Sequence, residues 1–532
     1  MRFENYKTSR LVIWIIALAT VGRLFIGYLL ELGNDEVYYL TYAYSPDLSH
    51  FDHPPMVGFL IQLFTLNFAL NSELFIRLGP ILLCAGSSWI IYRIGCMLRD
   101  ELTGLIAVVM FTASIYASVI AGTFILPDSP QLFFWLAGLF FLLKTLPDPS
   151  QVFNRKGLYW AGLFIGLAML SKYTSVFLWV GAILYIIFYK KQWLSKKELY
   201  LGILISFLLF LPVLIWNFDN KFISFLYHSE RVAVTNNGLR PDYFFTELLG
   251  EIMYNNPLVF FMIAAALIAV IRKRHFLNRD HKKLLLFIAI PIILLFLGIA
   301  LFRRTLPHWT GPAYTTLILV AACWQRERII RSKLFRPLPG IVGWAMILTI
   351  LAAILGVGQV TNGWFDQPAK CKPTELGKND VTLDLYGWHQ IGNEFSAIRV
   401  RTEKKGLIKE DAPIISWRWF PAANIDFYIA RPNGMKVLAL GKFEDIHKYA
   451  WLNKERGGFH SGMDAWFICT SRDFKDPDEI YSTCFDSIKM VETVPVYRGG
   501  KHVMNAFVFR MKSLKPNAER AFGLDQLILN NH

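Results

Sequence analysis

Six short stretches of this 532-residue chain place acids, bases and cations at the edges of long apolar runs. The first, G-N-D-E-V-Y-Y at residues 33–39, carries Asp35 and Glu36 side by side. Such carboxylates are either a solvated helix end or working groups. A general base within hydrogen-bond reach of an acceptor hydroxyl contributes roughly 10²–10⁴-fold, and Asp35 is the candidate. The second, H-F-D-H-P-P at 50–55, holds Asp52 and His53 against a stiff double proline. It is either a capped helix entry or a device fixing both side chains at one depth. The third, L-P-D-S-P at 126–130, offers Asp128 as a helix cap or as a second catalytic carboxylate. The fourth, S-K-Y at 171–173, interrupts an apolar stretch. A lysine at hydrocarbon depth costs about 2.5–3.5 kcal/mol, so Lys172 either snorkels or faces a cavity. In the fifth, S-F-L-Y-H-S-E-R at 224–231, His228 and Arg231 lie one helical turn apart. The sixth, R-R-T-L-P-H-W at 303–309, pairs Arg303 and Arg304 just before His308. Two such arginines are candidates for binding an anion, either a structural lipid or a substrate phosphate.

The elements that must position these residues are membrane helices. The chain is 54% hydrophobic and only 18% charged. Apolar runs recur at about 11–30, 78–97, 104–124, 130–147, 157–171, 173–190, 199–217, 257–271, 284–302, 311–324 and 339–360, near the length that crosses a bilayer. The net charge of +15 raises nucleic acid as a partner. Its distribution argues against that. Lys190, Lys191, Lys196 and Lys197, then Arg272 to Lys283, then Arg326 to Arg336 sit in short loops between apolar runs, the positive-inside pattern. The first run follows Arg2, Lys7 and Arg10 and has no A-x-A-like site after it, so it is expected to be an uncleaved span with a cytoplasmic N-terminus.

Parity then decides the ambiguous run 54–71, which contains Gln62 and Asn67. If it crossed, the basic loops would face outward. It is therefore expected to lie in the interface within a wholly outer segment, 31–77. About eleven spans result, and the six stretches fall on loops of one side, where their polar groups are expected to converge on one cavity. From about residue 363 the long apolar runs stop. Short β-like stretches at 413–417, 426–430, 435–440, 465–470 and 504–511 point to a soluble α/β domain over 363–532, following a membrane domain over 1–362. Of six cysteines, Cys469 and Cys484 are the expected pair if that domain meets an oxidising compartment.

Taken together, D-E-x-Y-Y, F-D-H-P-P, L-P-D, G-L-A-M-L-S-K-Y, P-V-L-I-W-N and L-P-H-W resemble, in order, the bacterial branch of the protein O-mannosyltransferase superfamily, which includes the aminoarabinose transferases of lipid A. The resemblance covers about residues 11–330, and D-L-Y-G-W at 384–388 extends it. It implies a GT-C fold with interfacial helices in the first outer loop, and a polyprenyl-phosphate sugar donor used outside the inner membrane. It matches Asp35 to an aspartate that activates the acceptor and Asp128 to a second-loop aspartate. Glu36, His53, Lys172, Arg231, Arg303, Arg304 and His308 are then expected to bind substrate. Asp52 and His228 occupy positions that in some relatives join a divalent metal. The expected partners are the lipid-linked donor, a lipid, glycan or protein acceptor, and membrane lipids.

Two other classes remain at this level. A lipid-linked sugar flippase would need ionisable residues along a full transmembrane path or inverted repeats, and neither is present in the sequence. An envelope-binding assembly protein would leave the carboxylate motifs idle. Among enzymes, a lipopolysaccharide or lipid A transferase competes with a protein O-mannosyltransferase.

Overall fold

A computed structural model describes residues 2–150, 155–233, 238–332, 338–367 and 371–524. Lys333 and Arg336 lie outside the described residues, as do the side chains of Arg2 and Lys7. The chain forms two compact units, Met1–Tyr28 with Pro46–Ala353, and Leu29–Ser45 with Ile354–His532.

The first unit is helical throughout. It contains α1 (Arg2–Leu29), then, after α2 of the second unit (Asn34–Tyr44), α3 (Met56–Phe64), α4 (Glu73–Leu98), α5 (Glu101–Ala113), α6 (Asp128–Thr145), α7 (Gly157–Met169) and α8 (Phe177–Tyr189). It continues with α9 (Lys197–Asp219), α10 (Ile223–Val232), α11 (Pro241–Tyr254), α12 (Pro257–Ile271), α13 (Arg279–Ala300), α14 (Gly311–Ser332) and the part of α15 (Gly340–Asn362) up to Ala353. Their starts follow from local chemistry. Asp100 caps α5 by accepting from the Thr103 amide, Asn278 caps α13, and proline opens both α11 and α12, where a missing N–H costs nothing. Each expected apolar run is helical over most of its length. Five helices are individually long and apolar enough to cross a bilayer, or six if α11 and α12, bent by 103°, count as one broken span. The expected count of eleven is not reached on that measure, because α5, α7 and α8 have only 13 residues each, about 20 Å, and because α6 and α14, though long enough, carry polar and charged residues at their ends. Run 54–71 contributes only the nine-residue α3.

The outward faces of these helices carry exposed apolar side chains, such as Trp14, Leu18 and Phe25 on α1 and Trp344, Leu351 and Ile354 on α15. That belt suits lipid and not water, and the chain is a multi-pass membrane protein. Inside the unit, small residues allow close crossings. A Cβ on Gly162 of α7 would fall 2.1 Å from the carbonyl oxygen of Gly202 on α9.

The second unit builds a five-stranded mixed sheet in the order β2-β1-β3-β5-β4, from β1 (Ile414–Ser416), β2 (Val437–Ala439), β3 (Ala465–Thr470), β4 (Phe485–Arg498) and β5 (Lys501–Leu514). β1 runs parallel to β2 and β3, whereas β5 is antiparallel to β3 and β4. The α/β character is as expected, with two corrections. Asp426–Ala430 is a helical turn, not a strand. A five-residue apolar run does not distinguish a strand from a buried helix by periodicity. Cys469 and Cys484 are both buried free thiols and form no disulfide.

Candidate active site

The pocket end of the first unit is assembled from five stretches that the sequence singled out, four on loops, turns or a helix start and one, 224–231, on α10. The segment 46–55 is pinned at several points. The Trp216 indole donates to Asp47 at 2.7 Å, Ser224 donates to the His50 carbonyl at 2.9 Å, and the Met56 amide reaches the Leu170 carbonyl at 3.2 Å. The 171–173 turn is tied to α6 by Gln131, whose amide donates to Thr174 at 2.9 Å and Ser175 at 3.0 Å.

At the centre Lys172 donates to Asp128 at 2.8 Å, and both are almost fully buried. The other Asp128 oxygen accepts from the Tyr116 hydroxyl at 3.2 Å. Tyr116 opens a π-helical turn, Tyr116–Ile120, and packs where a Cβ on Gly311 would be 2.2 Å from its ring. Sequence reasoning missed this residue. Its only signal was a hydroxyl inside an apolar run.

Beside this pair lies a cavity of about 280 Å³ lined by His53, Lys172, Tyr173, His228, Arg231 and Trp309, with Phe225 and Phe296 adding apolar wall. The Arg231 guanidinium lies 5.4 Å from the Tyr227 ring centroid and 5.3 Å from that of Trp309. Among the described residues Arg231 has no carboxylate partner. Burial pushes the His53 imidazole down to about 3 and His308 to about 4, the latter assisted by the Lys172 ammonium. Burial also lowers His228. All three histidines are neutral near pH 7. The three imidazoles therefore add no positive charge there, and Lys172 and Arg231 are the cations lining the cavity.

Arg303 and Arg304 are not among the lining residues. Arg303 spends its Nε–H on the Ala233 carbonyl at 2.8 Å, and Arg304 is solvent-exposed. Asp52 and His228 do meet, but the His228 Nε2 faces the Asp52 backbone oxygen at 2.5 Å. His53 lies 4.0 Å from the Asp52 carboxylate and its ring 5.7 Å from that of His228, but among the described residues no three His, Cys, Asp or Glu side chains are arranged to hold a metal ion. The set does not fit a resident metal, and no step below runs through one.

The second unit holds the other motifs. On α2, Glu36 is buried and accepts from the Gly33 amide at 2.9 Å, so its carboxylate is committed to the helix start. Asp35 on the same turn is exposed. The neighbouring Asn34 hydrogen-bonds Asp384, which also pairs with Arg472. The D-L-Y-G-W stretch thus meets the N-D-E stretch within one unit. Glu31 accepts from the Trp388 amide at 2.8 Å, and Tyr38 packs 5.0 Å from Trp419.

The sequence profile described as dolichyl-phosphate-mannose-protein mannosyltransferase matches residues 52–216. A lipid A galacturonosyltransferase, RgtD, from Rhizobium johnstonii is 24% identical over 297 residues, covering 54% of this chain and 59% of that protein. The chain therefore aligns with about three fifths of the curated relative's length. Among solved structures, apo ArnT from Cupriavidus metallidurans superposes with a TM-score of 0.59 at 12% identity, covering 94% of this chain and 98% of that one. The same protein bound to undecaprenyl phosphate gives 0.58 at 13% identity, with the same coverage. The resemblance to GT-C glycosyltransferases drawn from the motifs is borne out, and the chain has the GT-C fold.

Proposed function

We propose that this protein is a glycosyltransferase that moves a sugar from a polyprenyl-phosphate donor to lipid A, lipopolysaccharide or a related envelope glycan. The observation that carries this reading is the cavity in which Lys172 and Arg231 face apolar walls. A lipid phosphate needs cations at its head and hydrocarbon beside its chain. The match to a lipid A glycosyltransferase and the fold shared with a protein crystallised with undecaprenyl phosphate support it. A protein acceptor is the second reading, favoured by the mannosyltransferase profile over 52–216.

The chemistry is a single displacement. Asp35 takes the acceptor O–H or N–H proton as that atom bonds the anomeric carbon. The bond from carbon to phosphate oxygen breaks, the electron pair leaves on the polyprenyl phosphate, and configuration inverts. Lys172 and Arg231 stabilise the charge that grows on the phosphate. Asp128 holds Lys172 at that position. Asp35 is assigned as base over Glu36 because the motif resemblance matches Asp35 to an acceptor-activating aspartate, and because Glu36 is buried and caps the start of α2 while Asp35 is exposed. The site is assigned to the periplasmic face of the inner membrane. The basic loops at the other end of the helices favour a cytoplasmic N-terminus and a periplasmic 363–532 domain.

Asp35→Asn tests the base. Membranes carrying it are expected to transfer sugar from a radiolabelled polyprenyl-phosphate donor at least about 10²-fold more slowly, with undecaprenyl phosphate still bound. Transfer at the parental rate would remove Asp35 from the mechanism.

A further inference from the structure

Outside the cavity, the most unusual feature of the first unit is a pair of buried carboxylates one turn apart on α11. Glu251 is 0% exposed and Glu247 1% exposed, and no cation pairs with either among the described residues. Neither residue lines the cavity, and the mechanism above uses neither. What they face is the turn Pro307–Thr310, which follows Arg303 and Arg304 and leads into α14.

Glu251 holds the end of that turn and the first turn of α14. Its Oε1 accepts from the Thr310 hydroxyl at 2.9 Å and its Oε2 from the Tyr314 hydroxyl at 2.8 Å. One turn earlier, the Glu247 carboxyl faces Thr305 without a hydrogen bond of ordinary geometry. Between them, Gly250 lets the helix backbone meet the turn, since a Cβ there would be 2.2 Å from Pro307 Cγ. A buried carboxylate with two hydroxyl donors is costly to keep and costly to lose, because truncation leaves both hydroxyls unpaired.

The turn so held carries His308 and Trp309. Trp309 lines the cavity and stacks on Arg231 at 5.3 Å. We propose that Glu251 is a positioning residue for the phosphate end of the donor site, fixing the Pro307–Thr310 turn so that Trp309 holds Arg231 in place. The inference rests on reading the cavity as the donor site. It assigns Glu251 no contact with substrate.

The test is binding of undecaprenyl phosphate to the purified full-length protein in detergent. Glu251→Ala is expected to weaken binding about tenfold, because the cation facing the phosphate is then no longer held in place and its charge-assisted hydrogen bonds weaken. Glu251→Gln, which keeps an acceptor for one hydroxyl, is expected to recover most of the loss. In a Trp309→Ala background the effect of Glu251→Ala should vanish, since a residue acting through Trp309 has nothing left to position. Full additivity in that background, or unchanged binding by folded Glu251→Ala protein, overturns the inference. Where Glu251→Ala does not fold, Tyr314→Phe removes one of the two bonds and is read against Trp309→Ala in the same way. Failure of the parental protein to bind undecaprenyl phosphate is a different result. It removes the donor-site reading, and the inference with it.

Discussion

The two ends of the helical unit use the same residue types for opposite purposes. At the basic end Arg326 pairs with Asp100 at 2.7 Å, Arg99 with Glu327 at 2.7 Å, Arg331 with the same Glu327 at 2.6 Å, and Lys190 with Asp280 at 2.8 Å. Arg99 also donates to the Phe276 carbonyl at 3.0 Å. Cation meets carboxylate or carbonyl there, and the loops close over themselves. At the pocket end Lys172 is paired with Asp128, while Arg231 leans on aromatic rings beside an open cavity. Ion pairs that close a structure are complete without a ligand. A cation held by rings beside a cavity is arranged for an anion that arrives from elsewhere.

The strongest way to break this contrast is to remove each pocket cation. Lys172→Met strands the Asp128 carboxylate in a buried site, so it is expected to cost about 3–5 kcal/mol of stability as well as transfer. Arg231→Gln leaves no buried charge behind. It is expected to keep the melting temperature within a few degrees and lower transfer by about 10²–10³-fold. Thermal melts and transfer rates on both variants check the pair. Equal loss of stability in both would mean that Arg231 belongs to the scaffold as much as Lys172 does.

A smaller effect at the pocket end is read through pH. His53, His228 and His308 all have folded-state values below the ordinary 6.5, with His53 near 3 and His308 near 4. The unfolded chain therefore binds more protons than the folded one between those values and 6.5. Their contribution to stability is complete above about 6.5 and is lost as pH falls toward 3, at up to about 1.4 kcal/mol per pH unit for each histidine. Melting temperature between pH 7 and 4.5 should fall less steeply for His53→Asn than for the parent. Parallel slopes would show that His53 protonates freely in the folded protein.

How much of this was legible depends on whether the signal was local. His228 and Arg231 share a helical turn, and their common face could be read from spacing. Asp128 and Lys172 were each visible as polar residues in apolar surroundings, but their partnership spans 44 positions and has no sequence signature. Trp309 stood at the end of the L-P-H-W motif without a role of its own, Tyr116 read as an ordinary aromatic of a membrane protein, and no motif pointed to Glu251. Arg303 and Arg304 broke the positive-inside rule visibly, yet charge at a boundary does not say which way a side chain points. In the second unit β1, β2 and β3 coincided with apolar runs, whereas β4 is partly exposed along its length and hid among polar residues. The helical turn at Asp426–Ala430 was hidden the other way, by apolar residues that suit a strand.

The smallest effects belong to the basic end, and they sharpen the contrast most cleanly because they should leave chemistry alone. Asp100 does two things there. It caps α5 through the Thr103 amide at 2.8 Å and it pairs with Arg326. Asp100→Ala removes both and is expected to cost about 1–2 kcal/mol. Arg331 is half-exposed and its partner Glu327 keeps Arg99, so Arg331→Ala is expected to stay within about 0.5 kcal/mol. Transfer rates of both variants, taken well below their melting temperatures, should match the parent. A fall in transfer for Asp100→Ala without a matching fall in stability would mean that the basic end takes part in turnover, and the division between closing and receiving charges would have to be redrawn.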